Sequence, residues 1–373
     1  MSELNDYNNG YEEIKRTTTR EETDKKCPSC GGTMDFDPVS GGLLCPYCGH
    51  QQEIVHKDPD DERCLEQDFF SAAERGNCDW GAEKKTVICK SCGGESIYDA
   101  LQIADVCPYC GSNQVMEEKG VDTLAPGGVC PFRIDAKTAG ERFTAWIKKK
   151  LFCPSKAKKS ARPDAFKGVY LPYWTFDSQT ETDYTARYGI DHTYTDSEGN
   201  THTTTTWYNT SGHYSCFIND QPVCGTNRYD EKALRSIEPY DTENNKKYKP
   251  EYIAGFISER YSIGLNDAWE KGKGYISSKL ESDISDNVRR AHNADHVNNV
   301  RMSTQYFDIK YKYLLLPVWL SSFRYKEKIF QFMVNGETGK VGGKSPISPL
   351  RVAIAVLIGI AVAVGLYYLM RNK

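Results

Sequence analysis

Four thiols recur twice in this chain at one spacing. Residues 27–50 read "CPSCGGTMDFDPVSGGLLCPYCGH", in which Cys27 and Cys30 are separated by fourteen residues from Cys45 and Cys48. Residues 89–111 read "CKSCGGESIYDALQIADVCPYCG", with Cys89, Cys92, Cys107 and Cys110 at the same intervals. Both stretches open with Cys-x-Ser-Cys-Gly-Gly and close with Cys-Pro-Tyr-Cys-Gly, 62 residues apart, the pattern of an internal duplication. Two thiolates two residues apart form a tight turn, and two such turns joined by a hairpin offer four sulfurs tetrahedrally to one ion. A module of this size cannot bury enough apolar surface to fold alone, so the metal supplies the folding energy. The expectation is two structural Zn2+ ions in two zinc ribbons, one on each quartet. Iron is the rival ion, since Cys-Pro-Tyr-Cys-Gly also resembles the knuckle of rubredoxins.

The remaining six of the 14 cysteines are scattered, and the polar residues 1–26 lack the basic and apolar regions of a secretory signal. The thiols therefore read as ligands in a reducing compartment rather than as a disulfide framework. His50 and His56 follow the first ribbon and read as surface residues. Cys64 and Cys78 read as packing residues beside an expected short linking helix that carries Leu65, Phe69, Ala72 and Ala73.

Phosphate binding needs Lys and Arg to displace counterions. The first ribbon has Asp35 and Asp37 and no basic residue, and the second has Lys90 against Glu95, Asp99 and Asp105. The ribbons thus favour a protein-binding or spacing role. A nucleic-acid-binding protein of replication or transcription is the alternative, and a redox protein holding iron is a third reading.

Residues 352–370, "VAIAVLIGIAVAVGLYYLM", carry no charge. At about 1.5 Å per residue they reach roughly 28 Å, close to the ~30 Å hydrocarbon core. The expectation is a transmembrane helix that tail-anchors the chain in a cell membrane, single-pass, with the bulk cytoplasmic where thiolates persist. Ala355, Gly359 and Ala363 lie four apart, a spacing that permits a homo-oligomer through this helix.

Between these ends, residues 136–151 place Ala139, Phe143, Trp146, Ile147 and Leu151 on one helical face, followed by a run of lysines that reads as a solvated helix end. Two segments, "GVYLPYWTFD" and "YLLLPVWLSSF", share Leu-Pro-x-Trp and lead into alternating polar and apolar runs. They read as strands of two half-domains paired in one sheet, or as a coincidence of common core residues. Thr-rich residues 184–214 read as a hairpin about Ser-Glu-Gly-Asn. His192, His202 and His213 within it are not expected to bind metal. Residues 250–300 are helical in character, with Ile276, Leu280 and Ile284 as a core stripe. "NGETGKVGGKS" imitates a phosphate loop, but Thr338 stands where the first glycine is required, and Asn-Gly marks a hairpin instead. No catalytic constellation is present, so the chain reads as a non-enzyme.

The fold class expected is α+β: two small four-cysteine zinc ribbons, a mixed β-rich domain with helices, and one C-terminal transmembrane helix. The boundaries are a disordered leader (1–26), ribbon 1 (27–56), a helical linker (57–88), ribbon 2 (89–118), the α+β domain (119–340), a flexible link (341–351) and the membrane helix (352–370).

The two Cys quartets, "PFRIDAKTAGERFTAWIKKKLFCPS", "GVYLPYWTFD", "EYIAGFISERY" and "LLLPVWLSSFRYKEKIFQFMVNGETGKVGGKSP" together resemble a group of bacterial zinc-ribbon membrane proteins with transcription-factor- or primosomal-type ribbon labels. The resemblance covers most of residues 27–370 and is most specific in the middle. It implies a lipid-bilayer anchor and recruitment of phage-shock-type and SPFH proteins as partners, with no helicase motif. Cys130 and Cys153 stand where apolar residues are expected, which argues against their being ligands.

Overall fold

The computed structural model describes residues 26–32, 34–55, 63–71, 84–89, 95–99, 115–117, 126–160, 166–197, 199, 201–259, 261–325 and 328–371. The first Cys quartet belongs to a three-stranded antiparallel sheet of β1 (Asp35–Asp37), β2 (Gly42–Leu44) and β3 (Gln51–Gln52). Then come β4 (Gln67–Asp68), β5 (Lys84–Cys89), β6 (Glu95–Asp99), β7 (Val115–Glu117), β8 (Gly128–Val129), α1 (Ala136–Lys149) and α2 (Ser155–Ser160). Two long strands follow, β9 (Lys167–Thr195) and β10 (Thr201–Cys224), then α3 (Glu231–Ile237), β11 (Lys246–Lys247) and β12 (Ile257–Ser258). The chain ends with α4 (Leu265–His292), β13 (His296–Tyr325), β14 (Lys328–Asn335), β15 (Val341–Gly343) and α5 (Pro349–Arg371). Strands β4 to β15 join one sheet with β9 and β13 at its centre.

The two Leu-Pro-x-Trp segments lie antiparallel on these central strands, with Leu171 directly opposite Leu316. Proline lacks an N–H and is normally kept out of central strands. Both prolines escape the conflict in the same way. Beside Pro172, β12 has ended at Tyr170 and β10 begins at Tyr173. Beside Pro317, β8 has ended at Leu315 and β14 begins at Val318. No ladder donor is needed in either gap, and each proline carbonyl accepts from a glycine, Gly225 N–H or Gly336 N–H, both at 2.8 Å.

The symmetry extends outward. Glu259 N–H donates to the Tyr170 carbonyl at 2.9 Å, as Cys130 N–H does to that of Leu315 at 2.9 Å. The indole of Trp174 donates to the Ile263 carbonyl (2.9 Å) and that of Trp319 to the Ile134 carbonyl (3.0 Å), each just ahead of a helix, α4 or α1. Apart from the short α2, the order strand, helix, long strand, strand thus occurs twice, β8–α1–β9–β10 and β12–α4–β13–β14, and each short strand runs parallel to the other half's long strand.

Near this centre both faces of the sheet are covered. Leu171, Tyr173, Leu314 and Leu316 pack under α3 on one face. Tyr170, Leu315, Trp319 and Phe332 pack against Phe143 and Ile147 of α1 on the other. Helix α1 starts where Asp135 Oδ1 accepts from Thr138 N–H at 2.8 Å, an N-cap that satisfies one orphan donor.

Beyond residue 177, β10, β9 and β13 continue as a three-stranded arm. Helix α4 covers one side of it, burying Trp269, Gly272, Ile276, Leu280, Ile284 and Val288 at helical spacing. Truncating Leu280, which is fully buried, would cost about 2–5 kcal/mol. Along β9 the period-2 alternation is visible: Ser178, Thr180, Thr182 and Ala186 are buried, while Asp183, Thr185 and Arg187 are exposed. The hairpin closes with Thr195 opposite Thr201. At the root of the arm both neighbours of β9 bulge at one level, β10 between Ile218 and Gln221 and β13 between Phe307 and Lys310. Each bulge holds an aspartate in the left-handed region, Asp220 and Asp308, both at φ 50.

Two expectations change. The linker around Leu65–Phe69 contains strand β4, paired with Lys310 and Tyr311, because tertiary pairing overrides its helical spacing. Residues 352–370 do form helix, but among the described residues no helix is long and apolar enough to cross a membrane. The expected transmembrane helix and single-pass cell-membrane placement are corrected accordingly, and pairing through that helix loses its basis. The start of α5 is instead fastened to the loop after α1. Arg351 donates to the carbonyls of Leu151 (3.0 Å) and Cys153 (2.7 Å) and to Ser155 Oγ (2.8 Å).

Candidate metal centre

The two knuckles of the first quartet have the same backbone. Cys27 N–H donates to the Gly32 carbonyl at 2.7 Å and Gly31 N–H returns to Cys27 at 2.8 Å. Cys45 N–H donates to His50 at 2.8 Å and Gly49 N–H returns to Cys45 at 2.9 Å. Gly31 (φ 75) and Gly49 (φ 76) take the left-handed conformation that closes each turn, which a side chain would strain. The hairpin between the knuckles is held by Asp37, whose carboxylate accepts from the amides of Ser40 (2.9 Å) and Val39 (3.3 Å). Partial burial acts to raise the Asp37 pKa, but the Ser40 and Val39 hydrogen bonds outweigh it and hold it below the ordinary value.

These turns bring the four sulfurs together. Cys27 Sγ lies 3.4 Å from Cys48 Sγ, Cys30 Sγ lies 3.5 Å from Cys45 Sγ, and all four fall within 4.8 Å of one another. Zn–S bonds of about 2.3 Å place tetrahedral sulfurs about 3.8 Å apart, so the quartet fits one zinc ion with no open position. Cys27 and Cys45 are buried and Cys30 and Cys48 exposed. Protons divide along the same line. Burial pushes Cys27 up, but the Ser29 and Cys30 amides and the Cys48 and Cys45 thiols more than offset it, down to about 6. Cys45 is lowered likewise, its burial outweighed by the amides of Cys48 and Tyr47. Cys48 accepts the His50 amide, which acts to lower it, yet sharing a proton with Cys27, burial and the other thiols push it up to about 12. Cys30 is also raised, chiefly by Cys45, against the Gly32 amide. Zinc is held by thiolates, so metal binding at this quartet must release the protons its thiols carry.

The ribbon is seated on the α+β body. Met34, Leu43 and Cys27 pack with Ala254, and Phe36 N–H donates to the Ala254 carbonyl at 3.1 Å. The Phe36 ring meets Tyr252 and Phe256 edge-on at 5.8 and 6.4 Å. The Lys249 ammonium reaches the Val55 carbonyl at 2.6 Å. The knuckles face away from this contact, leaving Pro28, Ser29 and Pro46 exposed and Tyr47 77% exposed. Ser29 Oγ and His50 Nδ1, 3.2 Å apart, link the knuckles, so His50 supports the site without being a ligand.

In the second quartet Cys89 ends β5, opposite Val115 of β7. Cys92, Cys107 and Cys110 lie outside the described residues, as do His56, Cys78 and most of the linker. Strands β5, β6 and β7 are antiparallel, and β6 pairs with β12, which attaches this module to the main sheet.

Cys64, Cys130 and Cys153 are buried among apolar side chains, in keeping with a packing role. The arm's histidines stay apart: His202 pairs with Asp196 at 2.7 Å, and His213 with Asp183 and Glu181, both at 2.8 Å. One cluster has no sequence signal. Glu66, Asp177 and Asp220 converge at the arm's root, within 4.8 Å of one another, from positions far apart in the chain. The Lys312 ammonium reaches Asp220 at 2.6 Å and Glu66 at 3.0 Å, so a built-in cation answers this acidic group.

No protein-family model matches the chain, and no solved structure does. The sequence is 33% identical over 342 residues, covering 88% of this chain and 91% of the relative, to the uncharacterized protein YdjG of Bacillus subtilis (strain 168). At that identity and coverage, the chain belongs to the family of YdjG.

Proposed function

We propose that the chain is a non-catalytic adapter whose zinc-held ribbons form a protein-binding surface on the α+β body. The observation that carries this is the closed quartet. Four thiolates around one ion leave no coordination position for a substrate or an activated water, so the ion builds shape. The shape is fixed to the body through Phe36 and Ala254, and its knuckles present Pro28, Pro46 and Tyr47, with no Lys or Arg within residues 27–50. An exposed aromatic on a rigid knuckle suits a protein partner, and residues 27–50 lack the cations that nucleic-acid phosphates require. A second Zn2+ is assigned to Cys89, Cys92, Cys107 and Cys110 on the repeat of spacing. The partners are taken to be phage-shock-type or SPFH proteins, on the resemblance given above.

The test is site-specific photocrosslinking from position 47 in cells of the source organism, with mass-spectrometric identification of the adducts. A protein adduct that disappears when Cys45→Ser removes the metal supports the reading. Salt-sensitive binding of DNA or RNA by the purified zinc-loaded chain, with no protein adduct, overturns it.

A further inference from the structure

The arm has two edges, and they differ. A strand edge exposes unpaired N–H and C=O groups and is a template for pairing with another chain unless charges, proline or bulges blunt it. The β13 edge is blunted twice. Its register to β9 shifts between Asn298 and Arg301 and again between Phe307 and Lys310. Asn299 (φ 51) and Asp308 (φ 50) turn the backbone there, and Arg301, Asp308 and Lys310 add charge.

Beyond its root bulge at Ile218–Gln221, the β10 edge has none of these devices. Its register to β9 runs without interruption from Thr201 to Ile218. The sequence over that stretch, "THTTTTWYNTSGHYSCFI", contains no Asp, Glu, Lys, Arg or Pro. Among the described residues β9 is its one strand partner, so the outward backbone groups have no ladder. The stretch is Thr- and aromatic-rich, the composition that pairs well across strands.

We propose that this edge is a homodimer interface, in which β10 pairs antiparallel with β10 of a second copy and two three-stranded arms become one six-stranded sheet. Such a pairing is isologous, with one patch serving both partners about a two-fold axis. A stretch with no Asp, Glu, Lys or Arg, whose His213 is answered within its own copy by Asp183 and Glu181, meets little like-charge repulsion when it faces itself, whereas a charged peptide partner would find little there to select it. The helices do not obstruct the joint. Helix α4 lies over the middle of the arm, with His292 stacked on Tyr188 of β9 at 4.1 Å. In the joined sheet the two β9 strands stand about 14 Å apart, three strand spacings, which accommodates two helices about 10 Å across.

The test combines sedimentation velocity of the zinc-loaded full chain with amide hydrogen exchange at low and high protein concentration. The expected result is a monomer–dimer equilibrium in which protection within 201–218 rises with concentration. Thr203→Lys with Ser211→Lys, at two exposed positions, should weaken association about tenfold or more with an unchanged thermal melt, since it places like charges across the joint. Gln305→Lys, on the blunted edge, should leave association unchanged. A chain that stays monomeric at every concentration refutes the proposal. So does self-association untouched by the double lysine variant, or protection of 201–218 that ignores concentration.

Discussion

Replacing Lys312 with methionine tests whether the ion cluster at the root of the arm is organised as described. The Lys312 side chain is 2% exposed and that of Asp220 7% exposed, with 2.6 Å between ammonium and carboxylate. At an effective dielectric near 20, one such pair attracts by roughly 6 kcal/mol, and desolvation of two buried ions consumes most of that. The intact pair therefore contributes little net stability. Removing one member differs, because the carboxylates of Asp220 and Asp177 then stay buried without their counter-charge, at a cost of about 3–5 kcal/mol. Burial already raises the Asp177 pKa with the lysine present, although the Asp220 amide opposes it. The sign with pH follows. Without the ammonium, Asp177 holds its proton still more tightly folded than unfolded, so the deficit is full at neutral pH and fades as pH falls toward 4. Urea unfolding followed by tryptophan fluorescence at pH 7.5 and pH 4.5 measures both. Lys312→Met/Asp220→Asn should recover about 1–2 kcal/mol of the loss at pH 7.5. A single-variant loss below about 1 kcal/mol, or one equal at both pH values, refutes the argument.

Three further outcomes are expected. Cys45→Ser should lower bound zinc by one ion per chain in elemental analysis and expose amides 27–55 to exchange, while zinc binding to the native chain should release protons and weaken as pH falls. Burial raises the Glu238 pKa to about 7 against the opposing pull of Arg235 and Lys340, so the folded state prefers its neutral form. Glu238→Gln should then be neutral below about pH 4.5 and stabilise by up to about 2 kcal/mol above pH 7, a difference read by thermal melts at the two ends. Arg351→Ala removes three hydrogen bonds that tie the start of α5 to residues 151–155, so limited proteolysis near residue 348 should accelerate with little change in the overall melt.

Features encoded by neighbours in sequence were legible from sequence. The knuckles follow from glycine and cysteine spacing, α1 from its apolar stripe, and the 184–214 hairpin from its turn residues. The paired Leu-Pro-x-Trp motifs were visible as a repeat, but two readings of them stood until the register set Leu171 against Leu316. Contacts made by the fold were not legible. Glu66, Asp177, Asp220 and Lys312 are ordinary charged residues until the two bulges bring them together. The seating of Phe36 on Ala254 links positions with no pattern between them. Strand β4 was misread because a two-residue ladder with β13 outweighs a weak local helical spacing. Hydropathy over 352–370 signalled helix correctly, but among the described residues no helix is long and apolar enough to cross a membrane.

The length of the two central strands has a mechanical consequence. β9 and β13, 29 and 30 residues each, pass from the packed centre into the arm without a loop or hinge between. A load applied at the hairpin tip therefore travels down covalent backbone as through a stiff lever. The ladder is least regular at the level where both neighbours of β9 bulge, and there Lys312 joins Asp220 of β10 to Glu66.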